Sequence, residues 1–257
     1  MTLPLFSHLR VGLCAAWLAS PWACGAQPFP PVTVQKVAVP SYFYPGPVWE
    51  RMGQGVPALG LAIINPDSGP GALLDKNYVQ ATQRAQARGV RVLGYVATGY
   101  GTRPKADVKA EITQYYNRYH VDGIFLDEAA NACAQVPYYQ ALFQYIKTKG
   151  GAATVAINPG MVTPECYAPA ADIIVNFEGS AASYATWQPA GWELNYPPER
   201  FWHLVYSTPK SQLAQVLALS RGRQAGWVYV TPDALPNPWD TLPGAAYWQA
   251  ELDGVSR

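Results

Sequence analysis

The sequence predicts a single-domain (β/α)8 barrel. Short runs rich in Val, Ile, Leu and aromatic residues recur eight times after residue 36, and helical patterns lie between several of them. Strands that are apolar on both faces and separated by helices indicate a parallel sheet covered on both sides. Eight such units in a chain of 257 residues match the usual size of one closed barrel.

The eight predicted strands share high apolar content and a length of five to eight residues. They are Val37–Tyr42, Leu59–Asn65, Val90–Ala97, Gly123–Asp127, Thr154–Asn158, Asp172–Phe177, Trp202–Tyr206 and Gly226–Val230. Between them, Val108, Ile112 and Tyr115 fall on one helical face, and Leu213 with Leu217 does so later.

Helix boundaries are marked by proline and glycine. Pro137 and Pro209 stand where a first helical turn tolerates proline, because its missing N–H would have no partner there. Gly89, Gly150 and Gly222 stand where glycine commonly ends a helix. The segment 232–243 is rich in proline, and we expect a long loop after the eighth strand.

An open doubly wound sheet is the alternative architecture. Such a sheet places a glycine-rich phosphate-binding turn after its first strand. The segment 39–47 here reads VPSYFYPGP and lacks that pattern, so a dinucleotide site is disfavoured. We expect no cofactor.

Residues 1–26 have the features of a signal peptide, which leaves 27–257 as the folded domain. Arg10 precedes an apolar run that is shorter than the roughly 20 residues needed to span a bilayer, and small residues lead up to Ala26. Two alternatives are a buried first helix and a lipoprotein anchored at Cys24, for which Pro21 and Trp22 are a poor match. We expect a secreted or periplasmic protein without a membrane span.

Cleavage near Ala26 would leave two cysteines, Cys133 and Cys166. An even pair in an oxidising compartment predicts one disulfide bond. Because no histidine lies at metal-ligand spacing from either cysteine, we expect no metal site.

The charge balance limits the possible partners. The chain has 18 Lys and Arg against 17 Asp and Glu, and no run of basic residues. Phosphate binding needs clustered positive charge, so nucleic acid and anionic membrane are excluded as partners. We expect a monomer that acts on an uncharged or small partner.

Two strand ends carry the candidate catalytic acids. The run Gly123–Asp127 ends in Asp127 and is followed by Glu128, and a later apolar run leads to Glu178. Barrel enzymes place catalytic groups at the carboxyl ends of their strands. Since strand side chains alternate, we expect Asp127 to face inward and Glu128 to lean into the following loop, unless a bulge reverses this.

This pair of strand ends favours two-carboxylate glycoside hydrolysis. One acid must stay protonated to assist the leaving oxygen, while the other attacks or activates water. We expect Asp127 to be the nucleophile or base, Glu178 the acid, and Glu128 a supporting or alternate acid. A metal-dependent phosphodiesterase would need more His and Asp at the mouth.

Six motifs in order resemble the spherulin-4-like (spherulation-specific family 4) glycoside hydrolases. They are VPSYFYPGP at 39–47, INPDSGPG at 64–71, LGYVATGYGT at 93–102, DGIFLDE at 122–128, INPG at 157–160 and FEGS at 177–180. The resemblance implies a barrel that cleaves α-1,4-linked, partly deacetylated galactosamine-containing exopolysaccharide, as fungal galactosaminogalactan hydrolases do. Asp127, Glu128 and Glu178 match the acidic residues of that family.

The strand ends and the resemblance together give eight candidate substrate-binding residues, which are polar or aromatic. They are Tyr42, Tyr44, Asn65, Tyr95, Tyr100, Asn158, Tyr206 and Trp227. The alternative function is a carbohydrate-binding barrel without turnover. Endo or exo action, the sugar and its acetylation, and retention or inversion remain open at this stage.

Overall fold

A computed structural model of the chain describes Val32 and residues 34–256, and the predicted signal peptide lies outside this part. Within it, eight parallel strands form a closed barrel in sequence order, β1 to β8, with β8 pairing back onto β1. The predicted (β/α)8 fold is confirmed. The strands are Lys36–Ser41, Leu59–Ile64, Arg91–Ala97, Gly123–Asp127, Thr154–Ile157, Ile173–Ser180, Phe201–Tyr206 and Trp227–Val230.

Seven α-helices, α1 to α7, are found in the same described residues. They are Pro47–Gly53, Lys76–Ala87, Lys105–Tyr119, Val136–Lys147, Ala181–Thr186, Lys210–Gly222 and Ala245–Val255. Helix α3 buries Val108, Ile112 and Tyr115 against the barrel, as its apolar spacing predicts. Pro137 lies in the first turn of α4, where it leaves no helical hydrogen bond unmade.

The barrel interior is filled by aromatic side chains. Phe125 of β4 contacts Tyr95 of β3 and Trp202 of β7, with ring centroids 6.4 and 5.6 Å apart. Trp227 lies near the amino ends of the strands, opposite Lys36 of β1. The carboxyl ends of the strands form the other end of the barrel, which is where barrels of this kind place their functional sites.

Strand β6 departs from regular pairing. Val175 pairs with Trp202 and Phe177 pairs with the next residue of β7, His203, so that Asn176 is an extra residue on β6. Two residues opposing one define a β-bulge, which changes the face to which the following side chains point. Beyond it, Glu178 pairs with Leu204.

Cys133 and Cys166 form the predicted disulfide, with their Cα atoms 5.9 Å apart. The bond joins the loop after β4 to the segment between β5 and β6. Segment 231–244 after β8 is a long irregular connection, as predicted. None of the described helices is long and apolar enough to cross a membrane.

Candidate active site

A cavity of about 320 Å³ opens at the carboxyl ends of the strands. Its lining is acidic, aromatic and free of Lys, Arg and His. The lining residues are Tyr42, Tyr100, Asp127, Glu128, Asn158, Pro159, Gly160, Glu178, Leu204, Tyr206, Leu235 and Trp239. The structure thus brings the three predicted acids together with four of the eight predicted substrate-binding residues.

Asp127 is the last residue of β4, and its side chain is turned toward the cavity. The Tyr95 hydroxyl and the Glu128 backbone N–H are donors beside its carboxylate, and they favour its charged form. Burial and the nearby Glu178 charge raise the pKa of Asp127 to about 7. The Glu128 N–H and the Tyr95 hydroxyl lower it, but by less. Asp127 therefore holds a proton near neutral pH more readily than an ordinary aspartic acid.

Glu178 enters the same cavity from β6. Asn158 Nδ2 donates to its Oε2 at 2.7 Å, and the indole N–H of Trp239 donates to its Oε1 at 3.2 Å. Burial raises the pKa of Glu178, while these two donors lower it because they stabilise the charged form. Each carboxylate oxygen of Glu178 is thus held by a separate neighbour.

Glu128 lies beside the pair at the exposed rim of the cavity. Its backbone has a φ of +49°, a left-handed conformation that costs a non-glycine residue energy. The Glu128 carbonyl accepts hydrogen bonds from the Tyr100 N–H at 2.6 Å and from Thr98 Oγ1 at 2.7 Å. The β3 and β4 loops together hold this turn, which sends Asp127 and Glu128 in different directions.

Aromatic rings form much of the remaining wall. Tyr42 packs edge-on against Tyr95 at 5.4 Å, and Tyr206 packs edge-on against Trp239 at 6.2 Å. Tyr100 is 61% exposed at the rim. Rings with polar atoms at one end can both stack on a sugar and hydrogen-bond to its oxygens.

Trp239 is a site residue that the sequence analysis missed. It lies in the loop after β8, and its carbonyl accepts the Tyr42 N–H at 3.1 Å, which ties that loop to the end of β1. The available signal was a tryptophan between prolines in a long loop at the carboxyl end of a strand.

Four predicted substrate-binding residues do not line the cavity. Tyr95 lies beneath it and supports Asp127. Asn65 accepts the Gly69 N–H at 2.9 Å and so shapes the loop after β2. Tyr44 is 58% exposed. Its hydroxyl donates a hydrogen bond to Asp75 and accepts one from Asn77.

The expectation for Trp227 is corrected by the structure. Trp227 begins β8, at the barrel end opposite the cavity, and its indole N–H donates to the Glu199 carbonyl at 2.9 Å. The Arg91 guanidinium lies 5.3 Å from its ring centroid. Trp227 therefore closes the barrel floor, because a strand's first residue cannot reach the carboxyl-end mouth.

Metal-ligating side chains do not cluster in the described part of the chain. Groups of three or more His, Cys, Asp or Glu side chains arranged to hold an ion are absent from these residues. His203, a buried histidine of β7, bonds through Nδ1 to the Tyr184 hydroxyl at 2.6 Å on the helix side of the strand. Burial lowers its pKa to about 3.

These features define the class as a (β/α)8 barrel with a partly buried carboxylate pair in an aromatic-lined cavity. The particular family follows from comparison with known sequences. The model for spherulation-specific family 4 matches residues 36–255, and the chain belongs to that family. The resemblance seen in the motifs is thereby confirmed.

One curated relative is Spherulin-4 of Physarum polycephalum, which is 33% identical over 213 residues. The match covers 77% of this chain and 64% of Spherulin-4. This chain therefore spans less than two thirds of the length of that relative.

Two solved structures share the fold over most of their length. Aspergillus clavatus Sph3, in complex with GalNAc, has a TM-score of 0.76 at 27% identity, covering 87% of this chain and 98% of Sph3. A chitinase from Chromobacterium violaceum has a TM-score of 0.58 at 11% identity, covering 86% and 99%. The second likeness shows a common fold alone.

Proposed function

We propose that this protein is an exported glycoside hydrolase that cleaves galactosamine- or N-acetylgalactosamine-containing polysaccharide. The observation that carries the proposal is the pair of partly buried carboxylates, Asp127 and Glu178, in one cavity at the barrel mouth. Two carboxyl groups flanking a glycosidic bond are the usual machinery for its hydrolysis. A site built only for sugar binding would not need two acids with raised pKa values in one cavity.

The environments of the two acids favour different protonation states. Asp127 is buried beside the charge of Glu178, which favours its neutral form. Burial raises the pKa of Glu178 as well, but there a neighbouring charge does not add to the rise, and two side-chain N–H donors oppose it. We therefore assign the proton to Asp127 as general acid, and we assign the attacking or water-activating role to Glu178. This is the reverse of the roles expected from the sequence.

The charge of the cavity supports an amino sugar as the substrate. Three acids and no basic side chain line the cavity. A partly deacetylated galactosamine polymer carries ammonium groups, which this acidic lining would attract. The likeness to Sph3, whose structure contains GalNAc, supports the same sugar class. We propose α-1,4 linkages and endo action on the basis of the family resemblance.

The disulfide supports the proposal of export. Disulfide bonds persist mainly in oxidising compartments such as the periplasm and the extracellular space. We propose that the mature protein acts there as a monomer.

The test is incubation of the purified protein with a panel of polymers. Partly N-acetylated α-1,4-galactosaminan, chitosan and amylose are compared by release of reducing ends and by mass spectrometry of the products. We expect oligosaccharides from the galactosaminan alone. The Asp127→Asn/Glu178→Gln double variant is the control and should release none. Tight binding of galactosaminan without cleavage by the unaltered protein would contradict the proposal and favour a binding barrel.

A further inference from the structure

The bulge in β6 decides which way Glu178 points. Before the bulge, Val175 pairs with Trp202, whose ring contacts Phe125 inside the barrel. After it, Phe177 packs outside the barrel on Tyr184 of α5, at 4.6 Å between ring centroids. Strict alternation from Val175 would place Phe177 inside and Glu178 outside. The extra residue, Asn176, reverses this order and turns Glu178 into the cavity.

Asn176 is held in place by a buried partner from a distant part of the chain. Its Nδ2 donates to Glu193 Oε2 at 3.0 Å, and both side chains are almost completely buried. Glu193 belongs to the 3₁₀ helix Gly191–Asn195, which lies between α5 and β7. A hydrogen bond between groups withdrawn from water is costly to break, because the polar atoms left behind have no solvent to replace the partner.

The 191–195 helix is itself fixed to the barrel. The neighbouring Trp192 donates its indole N–H to the Thr163 carbonyl at 3.2 Å and packs edge-on against Phe201 of β7 at 5.7 Å. Glu193 therefore reaches β6 from a 3₁₀ helix that Trp192 attaches to the barrel. Glu193 contacts Asn176, the one residue between Ile174 and Ser180 that has no counterpart on β7.

We propose that Asn176 and Glu193 are positioning residues for catalysis, because their hydrogen bond maintains the bulge that directs Glu178 into the cavity. This inference rests on the proposed function for the role of Glu178. Neither side chain lines the cavity, so they act through the backbone of β6 alone. Misplacement of a reacting group by about 1 Å can cost on the order of 100-fold in rate.

The test compares Glu193→Leu with Glu193→Gln and Asn176→Ala in galactosaminan cleavage. Burial raises the pKa of Glu193 to about 7, which favours its neutral form. Glutamine is a neutral side chain of the same shape, and its Oε1 can still accept the Asn176 N–H. We expect Glu193→Leu and Asn176→Ala to lower kcat by at least about tenfold with KM within about twofold, since substrate contacts are intact. Glu193→Gln should stay within about threefold of the unaltered protein in kcat.

Glu251→Leu is the matched control. Glu251 is another fully buried carboxylic acid outside the cavity, and its Oε1 accepts the Val230 N–H at 2.7 Å. It should lose stability but retain kcat at a temperature at which it is folded. Equal kcat losses in Glu251→Leu and Glu193→Leu would overturn the inference, as would an unchanged kcat in folded Glu193→Leu or Asn176→Ala.

A crystal structure of Asn176→Ala separates this inference from the proposed function. We expect Glu178 to leave its hydrogen bonds with Asn158 and Trp239. Retention of both bonds would overturn the positioning role even if the protein proved not to be a hydrolase. Should Glu193→Leu or Asn176→Ala fail to fold, Asn176→Ser is measured in the same way, with the same two outcomes.

Discussion

Strands β4 and β6 each deliver one acid to the cavity, but they do so by different means. β4 is regular over Gly123–Asp127, and alternation alone turns Phe125 and Asp127 inward. β6 contains a bulge at Asn176, and Glu178 points inward only because alternation is interrupted. The first acid is positioned by local sequence, whereas the second depends on the hydrogen bond between Asn176 and Glu193, which lie 17 positions apart in the chain.

The two acids also differ in which parts of the chain supply their hydrogen-bond donors. The donors beside Asp127 are the Tyr95 hydroxyl and the backbone N–H of the next residue, Glu128. Glu178 is bonded by Asn158 of the loop after β5 and by Trp239 of the loop after β8. The acid on the bulged strand thus depends on more distant parts of the barrel, from which two side-chain N–H groups donate to it.

The largest expected effect comes from removing either acid. Asp127→Asn and Glu178→Gln should each reduce kcat/KM on galactosaminan by about 10³-fold, since general acid–base groups contribute about 10²–10⁴-fold. Near-native circular dichroism would show that the fold is kept. Asn117→Asp, which converts one exposed amide of α3 into an acid outside the cavity lining, serves as the control. Full activity in both acid variants would break the comparison, since neither strand would then carry the chemistry.

Removal of the disulfide should lower the free energy of unfolding. Cys133 follows β4 and Cys166 precedes β6, with 33 residues of sequence separation. The Cys133→Ser/Cys166→Ser variant should lose about 3–4 kcal/mol in the free energy of unfolding, because the unfolded chain gains entropy. Urea unfolding measures this, and the parent protein under reducing conditions should lose a similar amount. An unchanged midpoint would contradict the expectation.

The raised pKa of Asp127 predicts a dependence of stability on pH. The folded protein keeps a proton on Asp127 up to about pH 7, whereas the ordinary pKa of an aspartic acid is 3.8. Because the folded state binds more protons in this window, its stability decreases as pH rises from about 4 to about 7 and then levels off. Asp127→Asn should therefore become more stable than the unaltered protein by on the order of 1 kcal/mol or more at pH 8.

Chemical unfolding at pH 4 and at pH 8 measures that difference. Glu178→Gln should show a change of the same sign, since burial raises the pKa of Glu178 also. A stability difference between Asp127→Asn and the unaltered protein that is equal at both pH values would show that Asp127 titrates normally.

The smallest effect concerns the turn that ends β4. Glu128 has a left-handed backbone, which asparagine adopts more easily than glutamic acid. Glu128→Asn should raise the free energy of unfolding by up to about 1 kcal/mol. Glu199→Asn, in the 3₁₀ turn Pro198–Arg200, should bring no such gain. A loss of stability in Glu128→Asn would show that the Glu128 side chain stabilises the turn.

The sequence was sufficient for the regular parts of this comparison. The apolar run before Asp127 predicts both the strand and its inward acid, because alternation needs no distant information. Every predicted strand overlaps an observed one. The disulfide follows from cysteine parity and compartment.

The remaining features depend on contacts between segments far apart in sequence. The β6 bulge requires Glu193, and the sequence around Ile173–Ser180 gives no sign of it. Trp239 reaches Glu178 across 61 positions through a loop of irregular backbone. Trp227 was misplaced because aromatic residues fill the floor of the barrel as well as its mouth.

The most direct test of the account is a ¹³C NMR titration of the Asp127 carboxyl in the unaltered protein and in Glu178→Gln. Strands β4 and β6 bring two carboxylates into one electrostatically coupled pair. Asp127 should titrate near pH 7 in the unaltered protein. Its pKa should fall in Glu178→Gln, while burial keeps it above 3.8. An identical Asp127 pKa in both proteins would contradict the pairing on which the proposed hydrolysis depends.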